Sequence, residues 1–383
     1  MKRKSLLFII GALLICSVFL LTGYIIHNNK EDNNSSKYDS ISKEKNTSFD
    51  LKLVKSLYTE SDENLLYAPL STAYTLSMLS SGAKGNVLKE INYVLNNYDL
   101  TKKDNVEGHY ASVQGLWIND IYKSEVKSNF VNALKINYES NVLYDSFENS
   151  IAINKWLYDN TYKVINVYDN PVIKTDVMNV INANFFSPNW KYKFDEKLFE
   201  EDKFYLKDGT SINAQYFKSE EVMLDADNFT GFAKEYENGF TFYGLFPKTN
   251  VEDVISSFTL DKLNGSLTNK KAIIRIPRFD YLDYVENITD GLTQMGLEKS
   301  LTAEGKYSLI GKNIFVSSFN ELNLIDFRPE GTMSPNEISN NENVINFEKS
   351  FIFIVKENNK DNIYFMGIVN KPVEIMNEEN IEE

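Results

Sequence analysis

The chain has 383 residues, 43% apolar and 25% charged, with 54 acidic against 40 basic residues and a formal net charge of −14. That length allows one large domain or two small ones, and the apolar share excludes a disordered chain. The acidic balance argues against nucleic acid or anionic lipid as partner, and a single cysteine, Cys16, excludes a disulfide framework.

Lys2, Arg3 and Lys4 form a basic stub over residues 1–4, ahead of the uncharged run Ser5–Ile26. At about 1.5 Å per residue this run gives roughly 33 Å of helix, enough to span a bilayer. Basic residues on its amino-terminal side place that end in the cytoplasm and everything after His27 outside. The run is long for a cleaved signal, and Leu20–Ile26 offers no small-residue cleavage site, so residues 5–27 are expected to be an uncleaved transmembrane signal-anchor. Cleavage and secretion is the alternative. Residues 28–47 are polar, lack an apolar period and read as a flexible tether.

The globular part begins near Phe49. Phe49, Leu53, Val54, Leu57 and Tyr58 share one helical face. Pro69 starts a second helix, Ser71–Ser81, ended by Gly82. Val87, Ile91, Val94 and Leu95 make a third helical stripe, and further helices are expected over Val126–Tyr138 and Ile151–Val164. The second half is rich in β-forming runs: Val177–Phe186, Thr241–Phe246, Ala272–Ile276, Ile314–Ser318, Leu322–Phe327, Phe351–Lys356 and Ile363–Val369. No internal repeat and no linker interrupts the chain after Phe49. One α+β domain is therefore expected over residues 48–373, followed by an acidic tail, 374–383.

Catalysis is not expected. The only histidines are His27, at the membrane border, and His109, in a polar stretch. There is no cysteine beyond the anchor and no Gly-x-Ser-x-Gly elbow. No His/Cys cluster suggests a metal, and no cofactor is implied. Gly82-Ala83-Lys84-Gly85-Asn86 lacks the Gly-Lys-Ser/Thr ending of a phosphate loop.

The carboxy-terminal fifty residues carry the strongest pattern. Arg328-Pro329-Glu330-Gly331-Thr332 leads into a polar loop, Phe347-Glu348-Lys349-Ser350-Phe351 opens a hairpin, and Tyr364-Phe365-Met366-Gly367 lies in its last strand before Asn370-Lys371-Pro372. This end resembles that of the serpins, the serine protease inhibitor family. Asn64–Ser71 with Met78–Gly85, Ile153-Asn154-Lys155-Trp156, Val180–Phe186 with Trp190 and Phe194, Ile276-Pro277-Arg278-Phe279 and Gln294-Met295-Gly296-Leu297 are similar to other motifs of that family, in the same order.

The resemblance implies a serpin-like single α+β domain with a large mixed β-sheet, smaller sheets and about eight or nine helices. It also implies serine-type endopeptidase inhibitor activity, a serine protease as partner, and a monomer. In such a protein a protease cuts the loop, and the freed loop inserts into the main sheet. Carried over, the loop hinge is Glu330, Gly331, Thr332, Met333, Ser334 and Pro335, the scissile region lies near Ile338 and Ser339, and the sheet-opening region comprises Ser71, Asn182, Trp190 and Glu321. The export signal and the Asn-, Lys- and Ile-rich composition point to a bacterial source.

Several residues depart from the family. Ala68 stands where Ser is usual, Glu321 where His is usual, and Asn213-Ala214-Gln215-Tyr216 replaces Val-Pro-Met-Met. The loop from Thr332 to Phe347 is roughly six residues short. Pro335 lacks the N–H that a central strand needs. With alternation starting inward at Thr332, the buried positions would be Ser334, Asn336, Ile338 and Asn340, of which only Ser334 fits well. No Lys or Arg in the loop suits a trypsin-like protease. A non-trapping serpin-fold binding role is therefore expected ahead of a working suicide-substrate inhibitor, whose target would be elastase- or subtilisin-like.

Overall fold

The computed structural model describes residues 48–375. The basic stub, the expected signal-anchor, the tether and residues 376–383 of the acidic tail lie outside the described residues. Among those described, no helix is long and apolar enough to cross a membrane.

Helix α1 (Phe49–Leu57) buries Phe49, Leu53, Val54 and Leu57 along one stripe. Helix α2 (Pro69–Ser80) starts two residues earlier than expected, because Pro69 itself occupies the first turn, where its missing N–H costs nothing. It is buried nearly all round, with Ser71, Thr72 and Thr75 among its buried side chains. Helix α3 (Gly85–Leu95) ends on Asn96 in the left-handed region. Helix α4 spans Ser128–Tyr138. Helix α5 (Ile151–Asn160) stops short of the expected Val164. Tyr162 and Lys163 take positive φ, and the Thr161 hydroxyl bonds to the Leu157 carbonyl (2.7 Å) while accepting from the Ile165 N–H (3.0 Å). The side chain thus replaces the next helical turn. Three short helices follow: α6 (Val251–Ser257), α7 (Leu260–Ser266) and α8 (Thr289–Gln294).

The main sheet has five strands in the order β11 (Phe279–Asn287), β12 (Val316–Phe327), β4 (Met178–Phe186), β2 (Tyr110–Asn119), β3 (Val142–Asp145). It is mixed. β12 runs parallel to β4, with Val180 opposite Phe319 and Asn182 opposite Glu321, and β3 runs parallel to β2, whereas the β2–β4 and β11–β12 pairs are antiparallel. The two runs expected at 314–318 and 322–327 are one continuous strand. The polar stretch Asn320-Glu321 that separates them in sequence is buried, and partners within the fold hold it there.

The second sheet has nine strands. Its path is β1 (Leu65–Tyr67), β16 (Ile363–Val369), β15 (Phe351–Glu357), β9 (Phe240–Pro247), β8 (Phe229–Glu235), β7 (Ser211–Asp225), β10 (Leu267–Pro277), β14 (Val344–Asn346), with β6 (Glu200–Tyr205) also on β7. The terminal hairpin β15–β16 lies between β1 and β9 and is buried on both faces, as its two continuous apolar runs require. An aromatic core joins the sheets: Phe279 stacks on Phe353 at 5.6 Å, and Phe327 meets Phe242 at 5.3 Å. A third, two-stranded pair links β5 (Trp190–Tyr192) to β13 (Gly331–Met333). The architecture is thus α+β, with a large mixed sheet, smaller sheets and, among the described residues, eight α-helices. The chain stays hydrogen-bonded past the expected boundary at residue 373, since the Ile375 N–H donates to the Asn213 carbonyl at 2.8 Å.

Candidate functional site

The seam between β4 and β12 is lined with polar pairs. Ser318 donates to Asn179 at 2.7 Å, Asn184 to Asn323 at 2.8 Å, and Ser187 to Asp326 at 2.9 Å. Between these rungs lies Glu321, 1% exposed. Its Oε1 accepts from the Thr72 hydroxyl and from Asn182 Nδ2 (3.5 Å), its Oε2 accepts from Asn323 Nδ2 (3.0 Å), and the Ala68 backbone adds a further bond. Burial raises the Glu321 pKa above its ordinary value of 4.5, and these donors pull it back. Helix α2 supplies the other half of the network. Thr75 donates to Asn182 Oδ1 at 2.6 Å, and Ser71 accepts from Gln114 at 3.1 Å. Three of the four residues assigned to sheet opening, Ser71, Asn182 and Glu321, therefore belong to one buried network.

Trp190, the fourth, sits just beyond the end of β4 and is 1% exposed. Its ring stacks on Tyr236 at 3.9 Å and meets Phe194 and Phe327 edge-on. Its indole N–H donates to the Arg328 carbonyl at 2.6 Å. The hinge is bound to this element. The Trp190 N–H donates to Glu330 O at 3.1 Å, Lys193 N–H to Met333 O at 3.1 Å, and Phe194 N–H to Pro329 O at 3.0 Å. Gly331 allows that approach, because a Cβ there would lie 2.5 Å from the Lys193 nitrogen and 2.8 Å from the Trp190 carbonyl. Thr332 donates from its hydroxyl to Glu237.

After Met333, itself 49% exposed, the chain spans residues 334–343 and returns as β14 on the edge of β10. Ser334 is exposed, whereas Pro335 and Ile338 are half-buried. The loop is pinned again at Ser339, whose hydroxyl donates to Glu220 of β7. Asn341 donates to the same carboxylate at 3.1 Å and to the Lys271 carbonyl at 2.8 Å. The Ser339 bond, followed by weaker contributions from Asn341 and Lys271, holds the Glu220 pKa below its ordinary value against the opposing cost of burial. The loop lies wholly outside the main sheet, where β12 pairs directly with β4.

Sequence reasoning missed Thr72, Thr75 and Asn323 in the seam, and Glu237 and Glu220 beneath the loop. Two of these carried a signal. Thr75 follows Ser71 at helical spacing, and Asn323 lies two residues beyond Glu321 on the same strand face. The glutamates are reached only through strand pairing. Among the described residues, no group of His, Cys, Asp or Glu side chains could hold a metal ion.

Comparison with known proteins agrees with this geometry. A family profile described as "Serpin (serine protease inhibitor)" matches residues 44–372. Serine proteinase inhibitor 1 of Vaccinia virus (strain Copenhagen) is 27% identical over 301 residues, covering 71% of this chain and 83% of the viral one. Alpha-1-antichymotrypsin of Homo sapiens is 23% identical, over 85% of this chain and 87% of its own. The crystal structure of the thermophilic serpin Tengpin in its native state superposes with a TM-score of 0.76 at 21% identity, over 85% of this chain and 92% of Tengpin.

Proposed function

The chain belongs to the serpin family, and from that premise we propose that it is a non-trapping serpin-fold binding protein. Only ten residues, 334–343, connect the hinge strand β13 to β14, and this one observation carries the reading. With the family's spacing, a cut near Ser339 frees about eight residues from Thr332, or roughly 26 Å of strand. The β4–β12 seam runs from Val316 to Ile325, roughly 33 Å. The freed segment cannot fill that seam, and Pro335 would interrupt its ladder.

A second reading has its own support. The closed five-stranded sheet with the loop outside it is also what a working suicide-substrate inhibitor needs before cleavage. Met333 and Ile338 are the side chains that an elastase- or subtilisin-like enzyme would select. The protein incubated with a panel of serine proteases and run on a denaturing gel separates the two. The expected result is clean cleavage or none, and a stable covalent band would establish trapping.

We place the domain, residues 48–373, outside a cell membrane as a monomer, held by residues 5–27 through the tether 28–47. The uncharged run after Lys2-Arg3-Lys4 supports this. Protease shaving of intact cells is expected to remove the domain and leave the amino-terminal fragment behind. A domain recovered from the medium, beginning between residues 20 and 30, would show a cleaved signal instead.

A further inference from the structure

A cavity of about 600 Å³ opens between α2, α4, β2 and the segment after α3, away from the loop. Its volume lies in the range of small-molecule sites. Lys102 lines it, in a half-buried position. The ammonium donates to the Ser112 carbonyl and to Gln114 Oε1, both at 3.2 Å, and sits 4.2 Å from the centre of the Tyr74 ring. All three partners are neutral. Burial accordingly pushes the Lys102 pKa down to about 8, with Asp104 opposing from a distance. The neighbouring cation, Lys103, is engaged with Glu357 at 3.5 Å. Asp104 and Glu139 line the cavity as exposed residues, and neither forms an ion pair with Lys102.

A half-buried cation whose hydrogen-bond and ring partners are all neutral has no anion against it. One available positive charge, flanked by two carboxylates, favours a monoanion over a phosphate dianion. The walls add aromatic faces from Tyr74, Tyr138 and Trp156 and amides from Asn105, Asn141 and Asn160. We propose that this cavity binds a small aromatic or otherwise planar monocarboxylate, its oxygens on the Lys102 ammonium and its body among the three aromatic rings. The site reaches the α2 side of the buried network, because Gln114, which holds Lys102, also donates to Ser71 at 3.1 Å. Binding does not depend on whether the loop traps a protease.

Benzoate is the probe, with benzamide as its neutral counterpart, chloride-matched, on the full chain. Two readouts are taken: thermal unfolding, and acetylation of Lys102 at pH 8 by mass spectrometry, with exposed Lys155 as internal reference. At ten times its dissociation constant, benzoate is expected to raise the melting temperature by about 2 °C. It is also expected to slow Lys102 acetylation about tenfold while leaving Lys155 unchanged. Benzamide is expected to do neither, and Lys102→Gln to lose the thermal shift. Equal effects of benzoate and benzamide, a shift that survives in K102Q, or unprotected Lys102 would each overturn the proposal. Should K102Q fail to fold, protection in the unmodified chain decides alone.

Discussion

Glu321 receives bonds from Thr72, Asn182, Asn323 and the Ala68 backbone, yet burial outweighs them and its pKa stands above 4.5. A carboxyl group with a raised folded pKa favours the fold most below its unfolded value, and that contribution is lost as pH rises through the folded value. The unmodified protein is therefore expected to lose stability from about pH 4.5 upward. Glu321→Gln removes this titration. It also points an amide N–H at the Asn323 donor, at a cost of about 1–3 kcal/mol at every pH, so the slope and not the level carries the test. Asp50, with its pKa pushed up to about 7 by burial, adds a similar slope, but in both proteins alike. Melting temperatures between pH 5 and 8 are expected to fall less steeply in E321Q than in the unmodified chain. Identical slopes would mean that Glu321 does not titrate in this range.

At the scale of elements, the hinge strand exists because Gly331 lets two backbones approach. Gly331→Val would drive a branched side chain against Lys193 and the Trp190 carbonyl and separate β13 from β5. Limited proteolysis is expected to cut between Glu330 and Asn343 several times faster in G331V. The melting temperature should change by no more than a few degrees, since β13 contributes little buried area. Unchanged cutting would show that the pair does not restrain the loop. How far elements could be read in the sequence followed their burial. Ile363–Val369 was legible to the residue because it is buried on both faces and bounded by polar turns. β7, fifteen residues long, is not legible in the sequence because Lys218-Ser219-Glu220-Glu221 breaks its apolar alternation, and pairing with β10 and β6 is what makes it a strand. The polar pair Asn320-Glu321 hides the continuity of β12 in the same way. In the seam, Ser71, Asn182 and Glu321 were legible through the family resemblance. Thr72 was not, since its role depends on which face of α2 meets β12.

At the scale of the whole molecule, the question is what would follow a cut in the loop. The main sheet is closed, its seam is held by polar pairs from Asn179–Ser318 to Ser187–Asp326, and the loop is fastened outside at both ends. Insertion of a cut loop would exchange these rungs for a new strand. The gain is smaller here than a full-length loop would provide, because the freed segment covers only part of the seam. Pro335 removes a ladder bond, Ile338 crowds a buried face, and Asn336 and Asn340 bring amides that need partners, at about 1–3 kcal/mol for each defect. Together these costs offset much of the new pairing. Cutting between Met333 and Asn346 is therefore expected to leave thermal stability nearly unchanged. The measurement is thermal unfolding of intact and loop-nicked protein side by side. A rise beyond roughly 15 °C, several times what about 1 kcal/mol produces in a domain of this size, would mean that the loop does insert, and the reading as a working protease trap would then displace the one proposed.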